Sequence, residues 1–597
     1  MALADIDNAN NLVELFLSRA DQKGDAPFLA AKKNGEWVTQ SWQEAADQVC
    51  LMAENLRKLG LERGDRVCIV SENRPEWCIA DIAIMAAGCV SVPTYITNTP
   101  RDHAHIFDNS GARAVIVSNE KLLQPVHNAI HSTGLIEHVI GIEDLHRHQS
   151  GSFDYHGWDK MTEGDAAEAR KAVEERMAGI GRDQTACIIY TSGTGGAPRG
   201  VLQHHGAILC NVAGAAEILI TDFGIKDERF LSFLPASHAY EHTGGQFLPI
   251  GVGAEIYYSE GLEKLATNIE ETRPTIMVVV PRLFEVLRTR IMKTVEKQGK
   301  VANYLMDKAL MMSEGDRKRK RDKPMDFLIE KTLRPKIRAR FGGRIKAMVS
   351  GGAPLNPDVG NFFEAMGLTM LQGYGQTEAG PVISCNRPKT GLKMDTVGPP
   401  MRGVEVKIAD DGELLVRGEL VMHGYWRNEA ETARTIVDGW LHTGDIGHLD
   451  EAGRIVITDR KKDMIVNDKG DNVAPQKIEG MLTLQPEIAQ AMVSGDKRPY
   501  VVGLVVPDPE WAVEWCKAND EKFDMKALQD LPAFKTAVRA AVDRVNKDLS
   551  VIEKVRQFTF ADEGFTIENE EMTPSMKIRR HKIRDRYQER IDGLYRS

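Results

Sequence analysis

Between Ser41 and Val117 the chain alternates helical and short apolar segments at a spacing that few architectures accept. Ser41-x-x-Glu44 is a capping box, and the helical segment it starts runs to Gly60, a natural residue just past a helix end. A short apolar strand, Arg66 to Val70, comes next. A second helical stretch runs from about Pro75 to Ala87, Gly88 breaks it, and Val90 to Pro93 resumes as strand. Helix and strand alternate again at 101–110 and 114–117. This pattern predicts a doubly wound, largely parallel α/β sheet. At 597 residues the chain is too long for one core, so several domains are expected.

Further along, the apolar run Cys187 to Tyr190 ends in Thr191-Ser192-Gly193-Thr194-Gly195-Gly-Ala-Pro-Arg199. Glycines let backbone N–H groups approach an anion closely, and the hydroxyls of Thr191, Ser192 and Thr194 add donors. Arg199 adds a planar charged fork suited to phosphate oxygens. The stretch suits a polyphosphate, although alone it also reads as a Gly/Ser/Thr connector. It lacks the Gly-x4-Gly-Lys-[Ser/Thr] pattern, so it is not an ordinary P-loop. With a formal net charge of −10 the surface as a whole should attract neither nucleic acid nor anionic lipid, and any anion site must be a local concentration of positive charge.

The rest of the chain adds candidates and sets limits. The eight cysteines are scattered with no C-x-x-C pair, which predicts reduced thiols in a cytoplasmic protein. The N-terminus lacks the order of a signal peptide, and the longest apolar stretch, Ile82 to Val92, is too short to span a bilayer. His238 and His242 stand at the end of a buried strand, where structural roles outweigh metal ligation. Residues 286 to 345 read as a long helical, charge-rich insertion. Within it the basic run Arg317 to Arg321 follows an apolar helical stretch, so region 304–323 is either a solvated face or a peripheral membrane contact. Ala347 to Ser350 ends in Gly351-Gly352-Ala353, small residues that let a flat ring lie against the backbone. Met370 to Glu378 carries Tyr374, which could stack a base, Thr377, which could donate to a phosphate, and Glu378, which could hold Mg²⁺. From Val397 to Ile457 short strands with Gly-rich turns predict an antiparallel, barrel-like subdomain. The last 130 or so residues return to strand and helix and include Thr573-Pro-Ser-Met-Lys577.

Taken in order, these segments resemble the acyl-adenylate-forming superfamily of acyl-CoA synthetases, peptide-synthetase adenylation domains and beetle luciferases. The resemblance covers about residues 25 to 585. It rests on Tyr190-Thr-Ser-Gly-Thr-x-Gly-x-Pro, Ser350-Gly-Gly-Ala-Pro-Leu, Gly373-Tyr-Gly375-Gln-Thr-Glu, Trp440-Leu-His-Thr-Gly-Asp445, Asp459-Arg460 and the segment of Lys577. It implies an α/β fold with a large N-terminal domain, 1–461, of two doubly wound subdomains plus the barrel-like one. A small mobile α+β C-terminal domain, 462–597, would follow. By position, the Thr191–Arg199 loop would hold the β- and γ-phosphates of ATP. Gly352, Ala353 and Tyr374, with Gly375 beside it, would enclose adenine. Thr377 would touch the α-phosphate and Glu378 the Mg²⁺. Asp445 and Arg460 would serve the ribose. Lys462 would be the hinge, Lys577 would bridge carboxylate and α-phosphate, and His238 and Gly470 would line the acyl and CoA path. Two departures stand out: Gly195 where many members have Thr, and Arg199 where most have Lys.

The implied activity has two steps. A carboxylate attacks ATP to give acyl-AMP and pyrophosphate, and the CoA thiol then displaces AMP. The insertion after Pro281-Arg-Leu-Phe-Glu285 resembles that of bacterial long-chain fatty acid–CoA ligases. The alternatives are a medium-chain or aromatic acid, a carrier protein as acceptor, or a non-catalytic binder. Oligomeric state is left open. At the position four residues after His238, where some long-chain members carry a gating tryptophan, this chain has His242.

Overall fold

A computed structural model describes residues 2–145, 153–191, 198–313, 323–573 and 578–596. The capping box forms as its spacing requires. The Ser41 hydroxyl accepts from the Glu44 N–H at 3.1 Å, and the Glu44 carboxylate accepts from the Ser41 N–H at 2.7 Å, starting the helix Trp42–Lys58. Gly60 follows it with φ +85°, a conformation that costs glycine little. Strands Arg66–Val70, Val90–Pro93 and Ala114–Val117 fall where the alternation puts them.

Two eight-stranded sheets make up most of the N-terminal region. The first runs, in spatial order, Gly424–Tyr425, Arg199–His204, Thr185–Thr191, Val90–Pro93, Arg66–Val70, Ala114–Val117, His138–Gly141 and Asp154–Gly157. It is parallel from Thr185–Thr191 onward, and Arg199–His204 is antiparallel to both of its neighbours. The second runs Val382–Cys385, Met370–Gly375, Ala347–Ser350, Ile276–Val279, Arg229–Ser232, Glu255–Tyr258, Pro27–Lys33 and Glu36–Ser41, antiparallel only at its two ends. Both sheets thus direct the C-terminal ends of their parallel strands toward loops, where ligands bind in such folds.

Helix Pro75–Ala86 is buried at every residue from Trp77 to Ala86, so it carries no polar stripe. The one charged residue of that buried stretch, Asp81, accepts from Ser91 Oγ at 2.5 Å and pairs with His242 Nε2 at 3.0 Å. His242 is therefore a core histidine locked to a carboxylate. Ile82–Val92 stays inside this part of the fold, and a longer segment of high mean hydropathy lies elsewhere. His205–Phe223 is, among the described residues, the one helix long and apolar enough to cross a membrane, and most of it is buried inside the fold. Its residues line the core that the two sheets share.

The predicted insertion forms helices Pro281–Lys297, Lys300–Ser313 and Lys323–Arg340. Phe284, Met306, Ile329 and Leu333 pack onto Met348, Phe362 and Phe363 of the second sheet and its covering helix. The run Arg317–Arg321 lies outside the described residues. Residues 405–460 form the antiparallel subdomain. Its long strand Trp440–Leu449 pairs with Glu413–Arg417 and Ile436–Val437, and along its second half with Ile455–Arg460. The C-terminal region has a three-stranded sheet, Ile488–Ser494, Val501–Pro507 and Val555–Phe560, with a core on each face. Alternation along one strand sorts Val501 and Val505 to one face and Val502 and Leu504 to the other. Lys293 Nζ, on the insertion, meets Glu510 of this region at 3.0 Å.

Candidate active site

Strands Thr185–Thr191 and Arg199–His204 form a hairpin whose last pair is Thr191 with Arg199. The connection between them carries Ser192, Gly193, Thr194 and Gly195, which lie outside the described residues. Arg199, at the base of the hairpin, stacks its guanidinium 4.6 Å over the Tyr425 ring and pairs with the Glu431 carboxylate. The Tyr425 hydroxyl donates to Glu378 Oε1 at 2.7 Å. Burial, reinforced by Glu378, pushes that phenol well above its ordinary pKa, so it stays a donor at neutral pH.

Thr377 and Glu378 occupy a short turn, Thr377–Ala379, after strand Met370–Gly375. Its backbone is fixed from two sides. The Gln203 side chain donates to the Thr377 carbonyl, and the Met422 N–H donates to the Glu378 carbonyl at 2.9 Å. Gly375 allows the approach of the next strand, since a Cβ there would sit 1.9 Å from the Pro381 carbonyl oxygen.

Across the site, the Tyr374 hydroxyl donates to Asp445 Oδ2 at 2.6 Å, and Arg460 Nε lies 3.4 Å from Asp445 Oδ1. Asp445 and Arg460 face each other across two strands. Burial and the Asp445 charge hold the Tyr374 phenol in its protonated form. Strand Ala347–Ser350 runs parallel to Met370–Gly375 with Ser350 opposite Gln372, and Gly351 and Gly352 follow at its end. A Cβ at Gly352 would meet only Val280, at 4.0 Å, and Ala353 is exposed, so this edge is open to a flat group.

His238 caps the turn Ala239–Glu241, its Nδ1 accepting from the Tyr240 N–H at 3.2 Å, and Tyr240 donates to the Val349 carbonyl at 2.8 Å. The loop before it is tied to the first sheet by Asn73. Its Nδ2 donates to Ser232 Oγ at 2.9 Å and the Leu234 carbonyl at 2.6 Å, and its Oδ1 accepts from the Ala236 N–H at 3.0 Å. Lys462 sits in a tight turn in which the Asp463 and Met464 N–H groups both donate to the Arg460 carbonyl at 3.0 Å. Lys462 is solvent-exposed, yet desolvation by the groups crowded around it, then the Arg460 charge, lowers its pKa, and Asp445 and Arg199 are also among its charged neighbours. Gly470, φ +87°, lies on an exposed turn whose hydrogen bonds run to Asn467, Asp471 and Arg498, within the C-terminal region. Lys577 lies outside the described residues. Met572 and Ile578, on either side of its segment, form an antiparallel bridge.

The structure thus gathers Thr191, Arg199, Thr377, Glu378, Tyr374, Asp445, Arg460 and Lys462 into one region. It adds Tyr425, Glu431 and Gln203, which the sequence patterns did not single out, while Asn73 ties down the loop before His238. One local signal for Glu431 was present. Asn428-x-x-Glu431 marks a helix start, and Asn428 does cap helix Glu429–Thr435.

Comparisons with known proteins agree with this geometry. The model of the AMP-binding enzyme family matches residues 16–426, and that of the AMP-binding enzyme C-terminal domain matches 462–597. The chain is 34% identical to the long-chain-fatty-acid–CoA ligase FadD15 of Mycobacterium tuberculosis, over 94% of this chain and 93% of the relative. It is 30% identical to the peroxisomal long chain acyl-CoA synthetase 6 of Arabidopsis thaliana, over 94% and 82%. Among solved structures it resembles the adenylation domain of a carboxylate reductase from Mycobacterium chelonae, with TM-score 0.76, 21% identity, and 100% and 93% of the two chains covered. It also resembles an o-succinylbenzoate CoA synthetase from Bacillus subtilis in complex with AMP, with TM-score 0.67, 20% identity, and 96% and 98% covered. The chain belongs to the AMP-binding enzyme family.

Proposed function

We propose that the chain activates a long-chain fatty acid with ATP, giving acyl-AMP and pyrophosphate, and then transfers the acyl group to CoA with release of AMP. One observation carries the reading. Segments 199–204, 374–378, 425–431 and 445–462, distant in sequence, meet around one site that offers a cation, a carboxylate turn and a buried carboxylate acceptor. Similarity to long-chain ligases over nearly the whole chain supports the choice of acid and acceptor.

A fatty carboxylate is already ionised at neutral pH, so the first step needs no general base. The barrier is the approach of one anion to another, and positioning with charge neutralisation should dominate. Arg199 and the loop donors would hold the outer phosphates, Thr377 the α-phosphate, and Asp445 with Arg460 the ribose. Lys577 would bridge the carboxylate and the α-phosphate. Glu378 suits Mg²⁺ because this ion binds through one or two carboxylates plus substrate phosphates, and Glu378 is a single carboxylate beside the phosphate hairpin. When bound, Mg²⁺ would offset charge on the phosphates. In the second step the C-terminal domain, 462–597, would turn about Lys462. The Gly470 turn would then border the CoA thiol's path, and His238 the acyl group's.

The site of work we assign is the cytoplasm, with peripheral contact at a membrane face. Tyr304, Met311, Phe327 and Leu328 are exposed on the insertion helices, and Lys308 and Lys331 lie against Tyr304 and Phe327. Such a pattern suits an anionic lipid surface.

The test is one reaction of the protein with ATP, Mg²⁺, CoA and acids from acetate to stearate plus benzoate, read by mass spectrometry. Long-chain acyl-CoA and AMP are the expected products. Thioester of benzoate or acetate alone would overturn the choice of acid, and acyl-AMP without thioester would move the acceptor to a carrier protein.

A further inference from the structure

The arginine that replaces the family's usual lysine at position 199 has companions that a lysine would use differently. Glu431 takes one end of its guanidinium, and the Tyr425 ring lies under its plane. Arg199 Nε is buried and makes no hydrogen bond among the described residues. A buried donor without a partner is costly unless a ligand supplies one, and a fork paired at one end still presents donors at the other. The same Tyr425 donates its hydroxyl to Glu378. Glu431 is itself held, its N–H bonded to Asn428 Oδ1 at 3.2 Å and its second oxygen 3.4 Å from Arg434.

We infer that Glu431 and Tyr425 are positioning residues for the ATP phosphates: Glu431 aims Arg199, Tyr425 fixes Glu378, and one aromatic ring couples the two. This rests on the reading that Arg199 and Glu378 face ATP. The physical gain is order. A free arginine samples many rotamers, and fixing one on binding costs side-chain entropy. An ion pair and a ring that hold the fork beforehand reduce that cost. A lysine carries a compact charge on a flexible stem and cannot be oriented in the same bidentate, stacked way. Glu431 and Arg199 therefore work as a pair, and the value of Glu431 depends on the arginine.

A double-mutant cycle tests this. Binding of Mg-ATP is measured by calorimetry for the wild type, Glu431→Gln, Arg199→Lys and the double variant, together with the KM values for ATP and acid. Glu431→Gln should weaken ATP about fivefold, as expected for one partner of a half-buried ion pair. In the Arg199→Lys background the same change should cost less than about twofold. The acid KM should not move. Glu431→Asp, which keeps the charge with a shorter reach, should fall between wild type and Gln. Equal loss in both backgrounds would make Glu431 merely structural, and tighter ATP binding by Glu431→Gln would make it a competitor; either result overturns the inference. Calorimetry needs no turnover. Coupled ATP binding without thioester formation would sink the proposed function alone, and thioester formation without coupling would sink only this inference.

Discussion

Asp445, on the side we assign to the ribose, is 4% exposed and is held by the Tyr374 hydroxyl, by Arg460 and by its own N–H on Thr443 Oγ at 3.1 Å. On the side we assign to the phosphates, the Arg199 and Glu431 side chains are 32% and 30% exposed and joined by charge, with the Tyr425 ring under Arg199. A buried carboxylate with fixed partners cannot be rearranged without leaving a charge unpaired. A half-exposed pair can give way at small cost. That division fits a reaction in which the nucleoside stays put through both steps while pyrophosphate must leave. Lys462, with Arg460, Asp445 and Arg199 all among its charged neighbours, stands between the two sides at the turn where the C-terminal region begins.

The largest expected effect lies outside this contrast and sets its scale. Lys577→Ala should lower the rate of acyl-AMP formation about a thousandfold, the range for losing one preorganised charge in a transition state. ATP binding should stay measurable, so single-turnover rates with calorimetry would separate the two. Normal adenylation by this variant would remove the lysine from the chemistry.

Next, deleting one phenol hydroxyl on each side compares them directly. Tyr374→Phe leaves the buried Asp445 short of a donor and should weaken ATP about tenfold, at the lower end for stranding a buried charged acceptor because Arg460 and the Asp445 N–H keep their places. Tyr425→Phe strips a donor from Glu378, which water can reach, and should cost about threefold. Raising salt should weaken ATP binding more in Tyr374→Phe, which relies on the phosphate side, than in Tyr425→Phe. Equal losses and equal salt slopes would erase the distinction.

The smallest effect extends the comparison to the acid side. Glu241, beside His242, is 1% exposed, and burial raises its pKa to about 8 from the ordinary 4.5. The acid is therefore neutral in the folded protein at pH 7, and Ser232 Oγ donates to it at 2.5 Å. A raised pKa contributes stability that is full below the unfolded value and is lost as pH climbs through about 8. Glu241→Gln, which cannot ionise, should therefore gain on the wild type in melting temperature between pH 6 and pH 9, by about 2 °C. A constant difference across that range would mean that Glu241 is not protonated in the native state.

What could be read from the sequence was local. The capping box at Ser41, the left-handed glycines at 60 and 88, and the short strands between them are set by neighbours a few residues apart, and they appear where expected. The return of the phosphate segment as a hairpin was not legible, because Arg199–His204 is held by Gly424–Tyr425, far along the chain. Glu431 lies 232 residues from its arginine. The helices Pro75–Ala86 and His205–Ile218 are buried nearly all round, so periodicity said little about their place. The site motifs were visible as strings, and the contacts that hold them were not, since those depend on which strands become neighbours.

The most direct test of the account is a two-stage single turnover. Enzyme, Mg²⁺, labelled ATP and palmitate are mixed without CoA, and products are followed by rapid quench before and after CoA is added. The account predicts enzyme-bound palmitoyl-AMP with one pyrophosphate per site in the first stage, then palmitoyl-CoA and AMP in equal amounts. Formation of ADP and phosphate, or a thioester that appears with no adenylate before it, would contradict it.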